Sequence, residues 1–163
     1  MKEVVLCADD FGQDAIVSKG IAHLLRQGRL SATSCMTNTP YWPKAARLLK
    51  PFIKQVDIGL HFNLTYGDAI DHVPGITHHG SLPKIGKLLL KAQCGWISSE
   101  SVLIELRRQL ESFYDLLGCW SDFIDGHQHV HQFPGVREAL IELCQTDLQG
   151  HQFYVRSVYP DIG

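Results

Sequence analysis

The chain has 163 residues, of which 45% are hydrophobic and 20% are charged, and its formal net charge at pH 7 is −2. This composition is typical of a globular protein and excludes a disordered or fibrous chain. The near-neutral charge gives no electrostatic footprint for nucleic acid or an anionic membrane, so we expect neither as a partner. The length predicts a single domain, residues 1–163, with a core that needs no disulfide or structural metal.

The five cysteines are scattered, and no two of them form a C-x-x-C pair. They therefore indicate neither a disulfide framework nor a zinc ribbon, and they favour a reducing compartment. The apolar run at 4–8 is too short for a signal peptide or a membrane span. We expect a soluble, cytoplasmic protein.

Strands and helices alternate in the first part of the chain. Short apolar runs predict strands, and segments with helical spacing predict helices between them. In chain order these are strand 4–8, helix 16–25 with its stop at Gly28, strand 30–36, helix 43–49 and strand 56–64. An alternation of this kind predicts a parallel sheet.

The second part begins with a stretch rich in glycine and proline at 65–94, which predicts a long loop with one basic turn at 84–91. A loop of that length in a compact domain is usually functional. A wide apolar stripe at 100–117, capped by Ser98 or Ser99 and ended by Gly118, predicts an amphipathic helix. The remaining predicted elements are strand 122–125, helix 135–144 and strand 153–157.

Three polar clusters fall at predicted strand ends, where the functional groups of parallel α/β sheets gather. They are Asp9-Asp10, His61-x-Asn63 and the run DGHQHVH at 125–131. Carboxylates and imidazoles on one face form a mixed ligand set suited to zinc or another divalent metal. Taken singly, the Asp pair could be a helix cap and His61 a hydrogen-bonded core histidine, but their conjunction favours a metal site.

Within the last cluster, His127, His129 and His131 alternate, and we interpret the run as extended, because alternate residues of an extended segment point to the same side. The chain has no G-x-S-x-G elbow, Walker A loop or G-x-G-x-x-G fingerprint. Serine hydrolase, nucleotide-binding and dinucleotide-binding functions therefore lack their signatures.

On these residues the sequence resembles the YdjC family of carbohydrate deacetylases, which includes chitooligosaccharide deacetylases. Four segments carry the resemblance in the same order: ADDFG at 8–12, TSCMTN at 33–38, GLHFNLT at 59–65 and DGHQHVH at 125–131. The resemblance implies an α/β fold, a distorted (β/α) barrel of the polysaccharide deacetylase type. It also implies one bound divalent metal ion, Mg or Zn, and the removal of N-acetyl groups from amino sugars or short N-acetylated oligosaccharides.

The resemblance also implies roles for individual residues. Asp10, His61 and His127 would hold the metal, and Asp9 would act as the general base. Asn63, His129 and His131 would be candidates for binding a small carbohydrate substrate.

Two alternatives stay open at this point. One is a non-catalytic sugar- or metal-binding remnant of the same fold, and the other is a metal-dependent phosphoesterase, which normally needs two metals and basic phosphate-binding groups. Because a closed barrel typically needs about 200 residues, we expect the barrel here to be incomplete at its C-terminus. An unpaired strand edge near 153–157 would then favour a homo-oligomer.

Overall fold

A computed structural model describes residues 4–156, which form a parallel sheet with helices. The elements are β1 (Cys7–Phe11), α1 (Ala15–Arg26), β2 (Ala32–Cys35), α2 (Trp42–Leu49), β3 (Asp57–Phe62), α3 (Ile85–Gln93), α4 (Ser99–Leu117), β4 (Phe123–Gly126), α5 (Val136–Thr146) and β5 (Tyr154–Val155). Two 3-10 turns, Lys50–Phe52 and His127–Gln132, precede β3 and α5.

The five strands form one sheet in the order β1-β2-β3-β4-β5, and every neighbouring pair is parallel. The parallel sheet predicted from the alternation is therefore confirmed. The carboxyl ends of β3 and β4 are in register, with His61 beside Asp125 and Phe62 beside Gly126. This register places two of the three predicted polar clusters next to each other.

The sheet is strongly curved. Four inter-strand steps of about 4.8 Å would separate β1 from β5 by about 19 Å in a flat sheet. Instead, Arg156, just after β5, lies 2.7 Å from the carboxylate of Asp9 in β1. Within residues 4–156 no hydrogen-bonded ladder joins β5 to β1, so the described sheet is curved but open.

Helix α4 links the two apolar clusters of the core. Its Leu106 and Leu110 pack in one cluster with Leu60 of β3, and its Phe113 packs in the other with Trp42 of α2. As predicted, Ser98 caps the helix, and Gly118 ends it in a left-handed conformation with φ 75°. No helix within residues 4–156 is both long enough and apolar enough to cross a membrane.

Most predicted elements are confirmed to within a few residues, but two are corrected. Strand β1 begins at Cys7 because its partner β2 begins at Ala32, so the first acidic pair lies inside the strand rather than after it. The region 65–94 is not all loop, because α3 forms there and buries Leu88 and Ala92. For the last predicted strand, Ser157 lies outside the described residues.

Candidate metal centre

Two adjacent carboxylates of β1 reach the same edge of the sheet because the strand is irregular there. The register between β1 and β2 shifts between Ala8 and Phe11, and Asp10 has a φ of 64°. In a regular strand, neighbouring side chains point to opposite faces. A bulge with one left-handed residue re-aims a side chain, so Asp9 and Asp10 both face the histidines.

The structure brings together Asp10, His61 and His127. Oδ1 of Asp10 lies 2.8 Å from Nδ1 of His127 and 3.2 Å from Nε2 of His61. One ligand atom of each residue lies within 4.8 Å of the other two. One carboxylate oxygen and two imidazole nitrogens form a donor set that fits a divalent ion such as Zn²⁺. The metal-binding role of these residues stays a prediction.

The charges of this cluster reinforce one another. Hydrogen bonds from His127 and His61 hold the pKa of Asp10 well below its usual range. Burial disfavours the charged imidazole of His61, but hydrogen bonds to Asp10 and Asp125 outweigh it and raise its pKa to about 9. Because metal ligation requires a neutral imidazole, an ion binding here displaces a proton from His61.

Asp125 supports His61 from behind and is almost fully buried. Its Oδ1 lies 2.6 Å from Nδ1 of His61, and the hydroxyl of Ser34 donates to the same oxygen at 2.5 Å. A carboxylate that accepts from Nδ1–H leaves Nε2 directed toward Asp10. Such a partner fixes the orientation of the ring and raises its basicity as a ligand.

We expect Asp125→Asn to weaken divalent-metal affinity by about 10- to 100-fold, because the amide no longer supplies a charged acceptor for Nδ1–H of His61. Isothermal titration with Zn²⁺ measures the change. The control is Asp115→Asn, which removes an exposed carboxylate on α4. Equal affinities in the two variants would contradict the supporting role of Asp125.

Asp9 is held by a bidentate ion pair. Nη1 and Nη2 of Arg156 each lie 2.7 Å from a different oxygen of the Asp9 carboxylate, and Nη2 is also 2.7 Å from Oδ2 of Asp125. Burial favours the neutral acid at Asp9, but the hydrogen bonds and charge of Arg156 outweigh it and lower the pKa. Asp9 is therefore ionised and fixed in place.

This arginine also decides between two possible ligand groups. Asp9, His61 and Asp125 have ligand atoms as close together as those of the first cluster. However, the charge of Arg156 is already shared by both of these carboxylates, and Nδ1 of His61 is bonded to Asp125. A divalent ion is therefore better accommodated by Asp10, His61 and His127.

The interpretation of the histidine run as extended is wrong. Residues His127–Gln132 form a 3-10 turn in which Gln128 and His129 have φ values of 53° and 60°. The turn directs His127 to the metal cluster, leaves His129 exposed and buries His131. Burial lowers the pKa of His131. The substrate-binding role of His129 and His131 stays a prediction.

Asn63 is fully buried, and its side chain is used inside the protein. The amide nitrogen donates to Asn38 and to the carbonyl of Tyr66, and the amide oxygen accepts from the N–H groups of Thr65 and Tyr66. These bonds hold a turn rather than reach outward. Direct substrate binding by Asn63 stays a prediction, but this structure gives the side chain another task.

Two residues of the site, Arg156 and Ser34, were not predicted to belong to it, and Asp125 had no predicted role. Each has the same signal, because each lies at the carboxyl end of a strand predicted for the parallel sheet. Arg156 follows β5, Ser34 lies in β2 and Asp125 lies in β4. A polar residue at the carboxyl end of a predicted strand is therefore the sequence signal for all three.

The chain is similar in sequence to a family of known proteins. The family profile of YdjC-like proteins matches residues 3–161. A chitooligosaccharide deacetylase of Proteus mirabilis is 33% identical over 143 residues, covering 87% of this chain and 55% of the relative. A carbohydrate deacetylase of Geobacillus stearothermophilus is 34% identical over 142 residues, covering 86% and 55%. The chain spans about half the length of the curated relatives it matches.

Two solved structures share the fold. A protein of Enterococcus faecalis V583, named for cellobiose-phosphate cleavage, has a TM-score of 0.79 at 24% identity. The match covers 97% of this chain and 59% of that protein. A mutant CE4 family pseudoenzyme with restored activity has a TM-score of 0.50 at 12% identity, and the match covers 93% of this chain and 43% of that protein. These likenesses support the α/β fold class predicted from the sequence, and the family match shows that the chain belongs to the YdjC family.

Proposed function

We propose that residues 1–163 act as one catalytic domain, the N-terminal part of a YdjC-like barrel, in a metal-dependent carbohydrate deacetylase. The substrate class is amino sugars or short oligosaccharides that carry N-acetyl groups. The observation that carries the proposal is the cluster of Asp10, His61 and His127 with the ionised Asp9 beside it. The deacetylase names of the relatives support the reaction type.

Metal binding and proton transfer are assigned to different residues. A divalent ion bound by Asp10, His61 and His127 would polarise an acetyl carbonyl and lower the pKa of a water molecule. Two imidazole ligands favour zinc or a similar transition metal over magnesium, which prefers oxygen ligands. Asp9 accepts the proton of the attacking water, because each of its oxygens keeps a lone pair after bonding to Arg156.

Arg156 makes this division possible. Its two hydrogen bonds orient the Asp9 carboxylate, and its single positive charge is shared between Asp9 and Asp125. Because both of its oxygens bond to Arg156, Asp9 is a weaker competitor for the ion than Asp10. The base and the ligands therefore remain distinct although they are neighbours in the sequence.

The test is acetate release from N,N′-diacetylchitobiose. We expect the purified chain to release acetate, to lose this activity after treatment with a chelator, and to regain it when Zn²⁺ is added. Stoichiometric metal binding without acetate release from any acetamido sugar would favour the non-catalytic remnant. Hydrolysis of a generic phosphomonoester instead would favour the phosphoesterase, although Arg156 disfavours a second ion beside the first.

We further propose that the protein works in the cytoplasm and associates with itself. All five cysteines, which lie within the described residues, are free thiols, as suits a reducing compartment. Tyr154 and Val155 of the edge strand β5 are exposed, and exposed strand edges favour pairing with another chain. Light scattering measures the oligomeric state, and a monomer at micromolar concentration would contradict self-association.

A further inference from the structure

Tyr66 is an exposed aromatic residue beside the metal centre. It is 44% exposed, and its ring centroid lies 6.4 Å from that of His127, with an interplanar angle of 71°. The His127 ring lies 5.4 Å from that of His61. Among the described residues, Tyr66 belongs to neither apolar cluster of the core. Core packing therefore does not explain its position.

The backbone of Tyr66 is fixed, while its ring is partly exposed. The Asn63 amide accepts from the Tyr66 N–H at 3.0 Å and donates to the Tyr66 carbonyl at 2.7 Å. The same amide nitrogen donates to Asn38 at 3.0 Å. One buried side chain thus binds both backbone groups of the exposed tyrosine and ties them to the segment after β2.

Helix α4 holds this turn from the other side. Gln109 accepts from the N–H of Asn63 at 3.0 Å and donates to its carbonyl at 2.8 Å. Glu105 accepts from the N–H groups of Ile70 and Asp71 and from the amide of Gln109. Glu105, Gln109 and Asn63 are all completely buried. Because burying polar groups is unfavourable unless each finds a partner, this network is built to fix the turn that carries Tyr66.

An exposed ring on a fixed backbone is suited to contact a sugar. The C–H groups on one face of a pyranose are apolar and slightly positive, and the face of an aromatic ring is apolar and negative. Preorganising such a ring removes the conformational entropy that a mobile loop would lose on binding. The metal centre itself is polar, so Tyr66 supplies the apolar contact that a sugar ring needs beside it.

We propose that Tyr66 stacks on a pyranose ring of the amino sugar bound at the metal centre, and that Asn63 is a positioning residue acting through Tyr66. The inference rests on the proposed function and names the residue that recognises its substrate class. Tyr66 therefore contributes to substrate affinity rather than to proton transfer.

The first experiment measures kcat and KM for acetate release from N,N′-diacetylchitobiose. Tyr66→Ala is expected to raise KM about tenfold, equivalent to about 1.4 kcal/mol of binding, with little change in kcat. Tyr66→Phe keeps the aromatic face and should behave like the wild type. The matched control is Ile70→Ala, which truncates an equally exposed side chain of the same loop. An unchanged KM in Tyr66→Ala would overturn the proposal.

The second experiment separates positioning from direct contact. Asn63→Asp keeps the acceptor for the Tyr66 N–H but loses the donor to its carbonyl, so KM should rise as in Tyr66→Ala. In the double variant that combines Asn63→Asp with Tyr66→Ala, KM should rise no further than in Tyr66→Ala alone. If Asn63 contacts the substrate directly, the two increases multiply, and the positioning role is overturned. Circular dichroism checks that both variants fold.

A binding measurement keeps this inference apart from the proposed function. Zn²⁺-loaded wild type and Tyr66→Ala are titrated with N-acetylglucosamine oligomers, using saturation-transfer NMR to follow the sugar protons. If the wild type binds these sugars and Tyr66→Ala binds them about tenfold more weakly, stacking by Tyr66 is supported even if no acetate is released. Equal binding by both proteins, or no binding by the wild type, would overturn it.

Discussion

Asp9→Asn is expected to lower kcat for acetate release by about 10²- to 10⁴-fold, the usual cost of losing a general base, while Zn²⁺ affinity stays close to that of the wild type. Asparagine keeps the shape of the side chain and still accepts a hydrogen bond from Arg156, but it cannot take a proton from water. Steady-state kinetics and isothermal titration on the same preparation measure the two quantities.

The control for this variant is Asp14→Asn. Asp14 caps α1 through bonds to the N–H groups of Ile16 and Val17, and asparagine is an equally good cap, so activity should not change. Asp10→Asn should instead lose metal affinity. If Asp9→Asn lost the metal and Asp10→Asn kept it, the roles of base and ligand would have to be exchanged.

His61→Ala is expected to abolish stoichiometric metal binding, because only one carboxylate and one imidazole would remain, fewer protein ligands than zinc sites use. The sequence predicts His61 at the end of a strand, and in the structure it is buried within β3 and bonded to Asp125. Its removal therefore also leaves a buried carboxylate with one partner fewer, which costs stability. Metal content of the purified protein measures the first effect, and thermal unfolding measures the second.

His61→Asn distinguishes lost ligation from lost folding. The asparagine amide can still donate to Asp125 in place of Nδ1, but nothing takes the place of Nε2. This variant should fold normally and still lack metal, whereas His129→Ala, at an exposed position, should retain it. Stoichiometric metal in His61→Asn would remove His61 from the ligand set.

The parts of the site that the sequence predicts are those governed by local pattern. Short strand patterns predict β3 and β4. Because parallel strands bring their carboxyl ends together, they also predict that His61 and His127 lie close to each other. The stripe of α4 was equally readable, because helical periodicity over many residues is a strong signal.

The other parts depend on pairing between distant segments. The bulge at Asp10 arises from the register of β1 against β2, which the strand's own residues do not reveal. Alternating histidines fit an extended chain as well as a turn, and only the φ values of Gln128 and His129 decide between them. Asn63 lies two residues after His61 at a strand end, yet the groups that bond to it come from Asn38, Gln109 and its own loop.

The ion pair between Asp9 and Arg156 joins residues 147 positions apart, and this separation has a consequence for the order in which the chain is made. On the ribosome, Asp10, His61 and His127 all emerge before Arg156. A nascent chain at that stage carries all three proposed metal ligands, but its Asp9 and Asp125 lack the cation that they share in the folded protein. Contacts between such distant residues also slow folding, because closing a long loop costs entropy before the contact forms. The ion pair that fixes Asp9 therefore forms only once β5 has joined the sheet, after all three proposed metal ligands have been made.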